Sequence, residues 1–129
     1  MQLSRLFLTL GAVGGGVSVA LGAFAAHGLK ARLDPVALGT FQTGVTYQFF
    51  HSLALCLVAV WLRQFSKEPT LGDPAAIAGI AFVVGILLFS GSLYALALGG
   101  PRWFGPVTPL GGLAFMVGWL TFAWSAWRN

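Results

Sequence analysis

Charge is what this sequence has least of. Of its 129 residues only 8% are charged, and just three of those are acidic, Asp34, Glu68 and Asp73. Soluble domains carry about 25% charged residues, so this density cannot clothe a water-facing surface. A soluble enzyme or a nucleic-acid binder is not expected. Cysteine is nearly as scarce: the single Cys56 lies inside the apolar run 53–61 and cannot close an intrachain disulfide, which marks it as inert packing. Histidine occurs twice, at His27 and His51. Cys56 follows His51 by five residues and so faces about 140° away around a helix, which spoils a shared soft-metal site. The two histidines belong at different depths, one at a boundary and one in an interior, which does not suit opposite axial positions on a haem. No metal and no cofactor is expected. A glycine-rich phosphate loop, a Ser-His-acid set and an H-E-x-x-H motif are all missing. The three acids fall in connections and form no carboxylate pair, so no catalytic residues are assigned.

What is present is apolar sequence, 57% of the chain, with a mean hydropathy of +0.85. Charges and breakers cut it into four stretches near the roughly 20 residues that span a bilayer, at about 6–26, 45–62, 75–98 and 109–127. None shows the period-two alternation of a barrel strand, so helices are implied. The expected fold is an all-α integral membrane bundle of four transmembrane helices in a single domain. Asp73-Pro74 and Thr108-Pro109 each place a capping side chain before a proline, as at helix starts, and Gly99-Gly100-Pro101 should stop the third helix. Asp34-Pro35 is another such start. It predicts an interfacial helical segment over 35–44 that breaks near Gly44 before the second span. The first run, about 21 residues long, exceeds a secretory signal's usual core and should remain as a helix despite the A-x-A-like Ala23-Phe24-Ala25.

The seven basic residues are scattered between the stretches, so they read as headgroup anchors rather than a patch for an anionic macromolecule. Arg5, Arg63, Lys67 and Arg128 fall on the side of the termini, against Lys30, Arg32 and Arg102 on the other. The balance leans toward cytoplasmic termini. Trp61, Trp103, Trp124 and Trp127 stand beside these charges as interfacial anchors.

Small residues recur at helical spacing. Gly11, Gly15, Ser18 and Gly22 on the first helix and Gly111 and Gly118 on the last are expected to let helices approach closely, because contact between backbones replaces the hydrophobic drive that lipid removes. Polar residues inside spans cost free energy unless partnered. Tyr47, Gln48, His51 and Ser52 share one face of the second helix, with His51 roughly 12 Å deep. Ser90, Ser92 and Tyr94 lie on the third. A polar seam between the first three helices is expected, either as a structural hydrogen-bond network or as a ligand site around His51.

The stretches Gly22-Ala23-Phe24-Ala25-Ala26-His27-Gly28-Leu29-Lys30 and Phe41-Gln42-Thr43-Gly44-Val45-Thr46-Tyr47-Gln48 with His51 resemble motifs of the YgdD-like family of small four-helix membrane proteins, a domain of unknown function. Phe89-Ser90-Gly91-Ser92-Leu93-Tyr94, Thr108-Pro109-Leu110-Gly111-Gly112 and Gly118-Trp119 resemble its second half. One departure is Ala25, where a glycine is usual. The resemblance implies four spans and, in bacteria, the inner membrane; it implies no activity. It adds His27 to the seam residues. The expected function is a non-catalytic accessory or scaffold protein that binds lipid, a membrane partner or its own copies; the alternative is a small transporter or channel with its site around His51.

Overall fold

The computed structural model describes residues 2–67 and 69–129, all helix and connection, with no strand among them. Glu68, expected in a connection, lies outside the described residues. The first span, α1 (Gln2–Phe24), continues through a wide π-helical turn, Ala25–Leu29. The second, α2, is Pro35–Phe65. The third is composite: α3 (Pro74–Gly85), a second π turn (Ile86–Ser90) and α4 (Gly91–Ala97). After a short 3-10 turn at Arg102–Phe104, α5 (Val107–Arg128) completes the bundle. All four spans are long and apolar enough to cross a membrane.

Local chemistry sets most ends. Asp34 accepts from the Ala37 amide at 2.7 Å and Asp73 from the Ala75 amide at 3.0 Å, each before a proline whose missing N–H costs a helix start nothing. The third span stops where Gly99 takes a φ of +88°, a conformation that glycine adopts without strain, and the Gly100 amide returns to the Ala95 carbonyl at 2.7 Å. Thr108 caps nothing. Helix α5 already begins at Val107, and the Thr108 hydroxyl instead bonds Ser92 at 2.5 Å.

The break expected near Gly44 does not occur either. Helix α2 runs uninterrupted for 31 residues, about 46 Å at 1.5 Å per residue, and so overshoots the roughly 30 Å hydrocarbon core. Glycine weakens a helix in water, but here Gly44 is buried and serves an approach: an added Cβ would stand 2.7 Å from the Tyr94 ring. Thr40, Thr43 and Thr46 on the exposed side turn their hydroxyls back to the carbonyls of Val36, Gly39 and Gln42, so they offer lipid no free donor.

Helix α2 is the centre. It packs along α1 on one side and against the third span on the other, while α5 lies chiefly on α3. The composite span divides its contacts, α3 leaning on α5 and α4 on α2. One core joins Phe7, Leu55, Val58, Leu62, Phe82 and Phe115; a smaller one beneath the first connection joins Ala25, Leu29, Phe41 and Ala97.

Glycines seat these contacts. Gly11 lies against Ser52 and Cys56, with an added Cβ 2.7 Å from the Ser52 carbonyl and 2.6 Å from Cys56 Sγ. Gly79 accommodates the Phe7 ring, Gly85 the Phe115 ring and Gly118 the Phe82 ring; Gly111 lies on the backbone of Phe89. Ser18 is buried, and Gly22 leaves ordinary contact distance, 3.5 Å, to Val45. Gly15 was expected on the packed stripe, but an added Cβ there meets nothing within 4 Å. Its neighbour Gly14 holds the position instead, against Ser52. One residue is a 100° turn of a helix, enough to move a side chain off the contact.

Gly111→Ala is therefore expected to destabilise the protein by about 1–3 kcal/mol, because the new methyl meets backbone that cannot rotate aside. Gly15→Ala should cost nothing and gain up to about 1 kcal/mol in helix propensity. Thermal unfolding in detergent, read by circular dichroism, checks the contrast; equal melting points for the two variants would refute the assignment of close contacts.

Candidate functional site

The polar residues of the spans form two bonded groups on either side of α2. On the α1 side, the Tyr94 hydroxyl donates to Gln48 Oε1 at 2.6 Å, and Gln48 Nε2 donates to the Gly14 carbonyl at 2.9 Å. The Ser18 hydroxyl donates to the same carbonyl at 2.8 Å. One amide thus ties α4, α2 and α1 together, and its two partners fix which end is oxygen, since a phenol hydroxyl faces one end and a carbonyl the other. Close by, buried Ser90 donates to the Gly44 carbonyl at 2.7 Å. Both acceptors belong to glycines, whose missing side chains leave a carbonyl open to another helix.

On the α5 side stands His51, 5% exposed and about two turns further into the helix than Gly44. Its Nδ1 lies 2.8 Å from the Tyr47 carbonyl, which can only accept. Its Nε2 lies 3.0 Å from Trp119 Nε1, which can only donate. The two partners therefore require the Nδ1–H tautomer, with the Nε2 lone pair occupied. The imidazole is stacked on Phe115 at 3.6 Å between centroids and 15° between planes, with the rings of Phe82 and Trp119 edge-on at 5.6 Å and 5.8 Å. Tyr47 adds a parallel ring at 5.9 Å although it is itself half-exposed. Such a histidine has no free acceptor for a proton or a metal until the indole moves.

Other residues fall outside these groups. Ser92 bonds the Phe89 carbonyl at 2.9 Å and Thr108, fastening the third span to α5. Ser52 is fully buried with no hydrogen-bond partner for its hydroxyl, pressed on Gly14 so closely that a Cβ there would collide with it. A Cα–H of glycine is a weak donor suited to such a contact. His27 is exposed at the end of the first span and belongs to neither group, which corrects its place in the seam. Cys56 lies on the α1 face of α2 beside Gly11, away from the imidazole's partners. No trio of His, Cys, Asp or Glu stands together as a ligand set among the described residues.

Two partners were not foreseen. Nothing in the sequence marks Trp119 as a partner of His51, and it is half-exposed, yet its indole N–H points inward. Gly14 has no side chain to advertise an acceptor. The seam was expected among the first three helices; its histidine half belongs to α2 and α5. A hollow of about 430 Å³ between these helices, lined by Phe50, Leu53, Ala54, Leu57 and Trp119, reaches the edge of His51, and its walls are apolar.

A four-span helical membrane protein with an internally bonded polar seam is the class that fold and site define. The family model described as "Protein of unknown function (DUF423)" matches residues 21–112, and the chain belongs to that family. It is 42% identical over 127 residues to a UPF0382 membrane protein of Haemophilus influenzae, covering 98% of both chains. It is 40% identical over 116 residues to the UPF0382 inner membrane protein YgdD of Escherichia coli K12, covering 90% of this chain and 85% of that one. The UPF0382 membrane protein YwdK of Bacillus subtilis is 38% identical over 116 residues, covering 90% and 91%. No solved structure matches the chain.

His51 and Trp119 should prove energetically coupled. In a double-mutant cycle of His51→Ala and Trp119→Phe, followed by thermal unfolding in detergent, the interaction energy is expected near 0.6 kcal/mol and no more than about 2 kcal/mol. Strict additivity would deny the bond.

Proposed function

We propose that this chain is a non-catalytic scaffold or accessory protein of the bacterial inner membrane, which meets lipid or a membrane partner through the outer faces of α1 and α5. The observation that carries this reading is the closure of the seam by direct bonds. Both ring nitrogens of His51, both ends of the Gln48 amide and the hydroxyls of Tyr94 and Ser90 bond protein groups. A permeation path needs polar groups turned toward a lumen, and a hydrolase needs a base with a free lone pair beside its nucleophile. Ser90 and Ser92 instead spend their hydroxyls on main-chain carbonyls.

The outer faces support the other half of the reading. The first and last spans are much less buried than the two inner ones. Leu8, Val13 and Val19 on α1 and Leu113, Met116 and Leu120 on α5 are exposed apolar side chains that suit lipid or another helix. The inner-membrane location is supported by the name of the Escherichia coli relative, an inner membrane protein.

In proteoliposomes the wild-type chain is expected to carry no proton, potassium or small-solute flux above protein-free vesicles, while His51→Ala loses about 1–2 kcal/mol of stability through its broken bond and stack. Wild-type flux that His51→Ala abolishes while the variant stays folded would replace the scaffold with a transporter. Under the same proposal both termini lie in the cytoplasm, a reading supported by the slight excess of Arg and Lys on their side. A reporter fused after Asn129 that is active only in the cytoplasm should therefore be active, and an inactive one at equal expression reverses the orientation.

A further inference from the structure

At the membrane end shared by the termini, the last turn of α2, the start of α3 and the last turn of α5 enclose a small cavity of about 40 Å³. Its lining includes Trp61, Ser66, Asp73, Ser125, Arg128 and Asn129, and most of that wall is polar. Asp73 is half-buried here. Its Oδ1 accepts from the Ala75 amide at 3.0 Å and its Oδ2 from the Ser66 hydroxyl at 3.0 Å. A carboxylate offers about four acceptor positions, so two remain. Ser125 receives the Trp61 indole N–H at 3.0 Å and, as a hydroxyl, keeps a second lone pair. Two of the three helices contribute in the same sense: α2 and α5 both end at this cavity, and the carbonyls of a last turn carry negative partial charge. The Ser125 carbonyl already accepts from Asn129 Nδ2 at 2.8 Å, and the opposite charge of the α3 start is met by the Asp73 cap.

From this arrangement we infer that the cavity binds the primary ammonium of an ethanolamine-type phospholipid headgroup, with Arg128 at the rim for its phosphate. Size and charge select the group. One water-sized probe needs roughly 10–15 Å³, so the cavity admits an ammonium and its neighbouring methylene, whereas a trimethylammonium or a phosphate is too bulky. An anion is further opposed by Asp73. A primary ammonium brings three N–H donors to the open acceptor positions of Asp73 and Ser125, and a glycerol headgroup brings no charge for the carboxylate. The position suits a lipid. Trp124 and Trp127 flank Arg128, both are exposed, and tryptophans beside a basic residue mark headgroup level.

This inference gives a headgroup class to the lipid contact of the scaffold reading, and it rests on different residues from the seam. The test uses the full chain in detergent with phosphatidylethanolamine, phosphatidylcholine and phosphatidylglycerol of identical acyl chains, read by native mass spectrometry and by melting point. The wild type is expected to retain phosphatidylethanolamine about tenfold over the other two, equivalent to about 1.4 kcal/mol. Asp73→Asn should erase that preference, its amide oxygen keeping the cap on Ala75. Its NH2 cannot accept from Ser66, so the lipid-free melting point should fall slightly; Ser66→Ala, which loses the same bond but keeps the carboxylate, should retain the preference. Arg128→Gln should weaken phosphatidylethanolamine and phosphatidylglycerol alike. Equal retention of all three lipids by the wild type, or selectivity that survives Asp73→Asn, overturns the inference. So does stabilisation by ammonium chloride as large as that by the lipid, since it would assign the cavity to a free cation. None of these outcomes touches the bonds of His51, so the scaffold reading stands or falls by the flux measurement alone.

Discussion

In hydrocarbon a main-chain carbonyl that leans out of its helix finds no water, and a side-chain donor finds no partner except in another helix. The bundle meets both conditions by pairing them across glycines. Gly14 and Gly44 present bare carbonyls, and Gln48 and Ser90 reach them from neighbouring helices. Each such bond needs backbones in close approach, and the same missing side chains provide it. Close approach then decides the rest. It seats Phe7 on Gly79 and Phe115 on Gly85, and Phe115 in turn forms the face on which the His51 ring lies. The polar seam and the apolar core are two results of one constraint.

Much of this is readable in the chain because lipid makes exceptions conspicuous. A histidine and a glutamine within an apolar run have to be explained, and i, i+3 spacing makes them neighbours on the helix surface, although Gln48 bonds toward α1 and His51 toward α5. The caps at Asp34 and Asp73 are local chemistry and sit where the residues say. Other features depend on which way a helix is turned. Gly14 and Gly15 have the same composition and opposite surroundings, and only the docked position of α1 separates them. Trp119 is ambiguous for a related reason: an indole is apolar on its faces and polar at one atom, so it can meet lipid and bond inward at once. Gly44 misleads because the rule that glycine ends helices belongs to water. The two π turns leave no composition mark, since each is one residue more than a regular turn holds.

Membership of the DUF423 family and the similarity to UPF0382 membrane proteins of Haemophilus influenzae and Bacillus subtilis give the architecture a setting without prescribing a reaction. The chemistry of the seam is consistent with that. Histidine is the side chain most often recruited for proton transfer, but here its ring has been given an acceptor on one nitrogen, a donor on the other and an aromatic partner on a face. Such an arrangement spends the reactivity of an imidazole on holding α5 to α2.

The wide turn at Ile86–Ser90 has one more consequence. An extra residue in a single turn advances everything after it by about 100° around the helix axis. The third span is therefore two helices with different phases on one axis: the part before the turn is keyed to α5, and the part after it is keyed to α2. The turn works as a clutch between two packing surfaces, so that one membrane crossing serves two neighbours without either dictating the other's register.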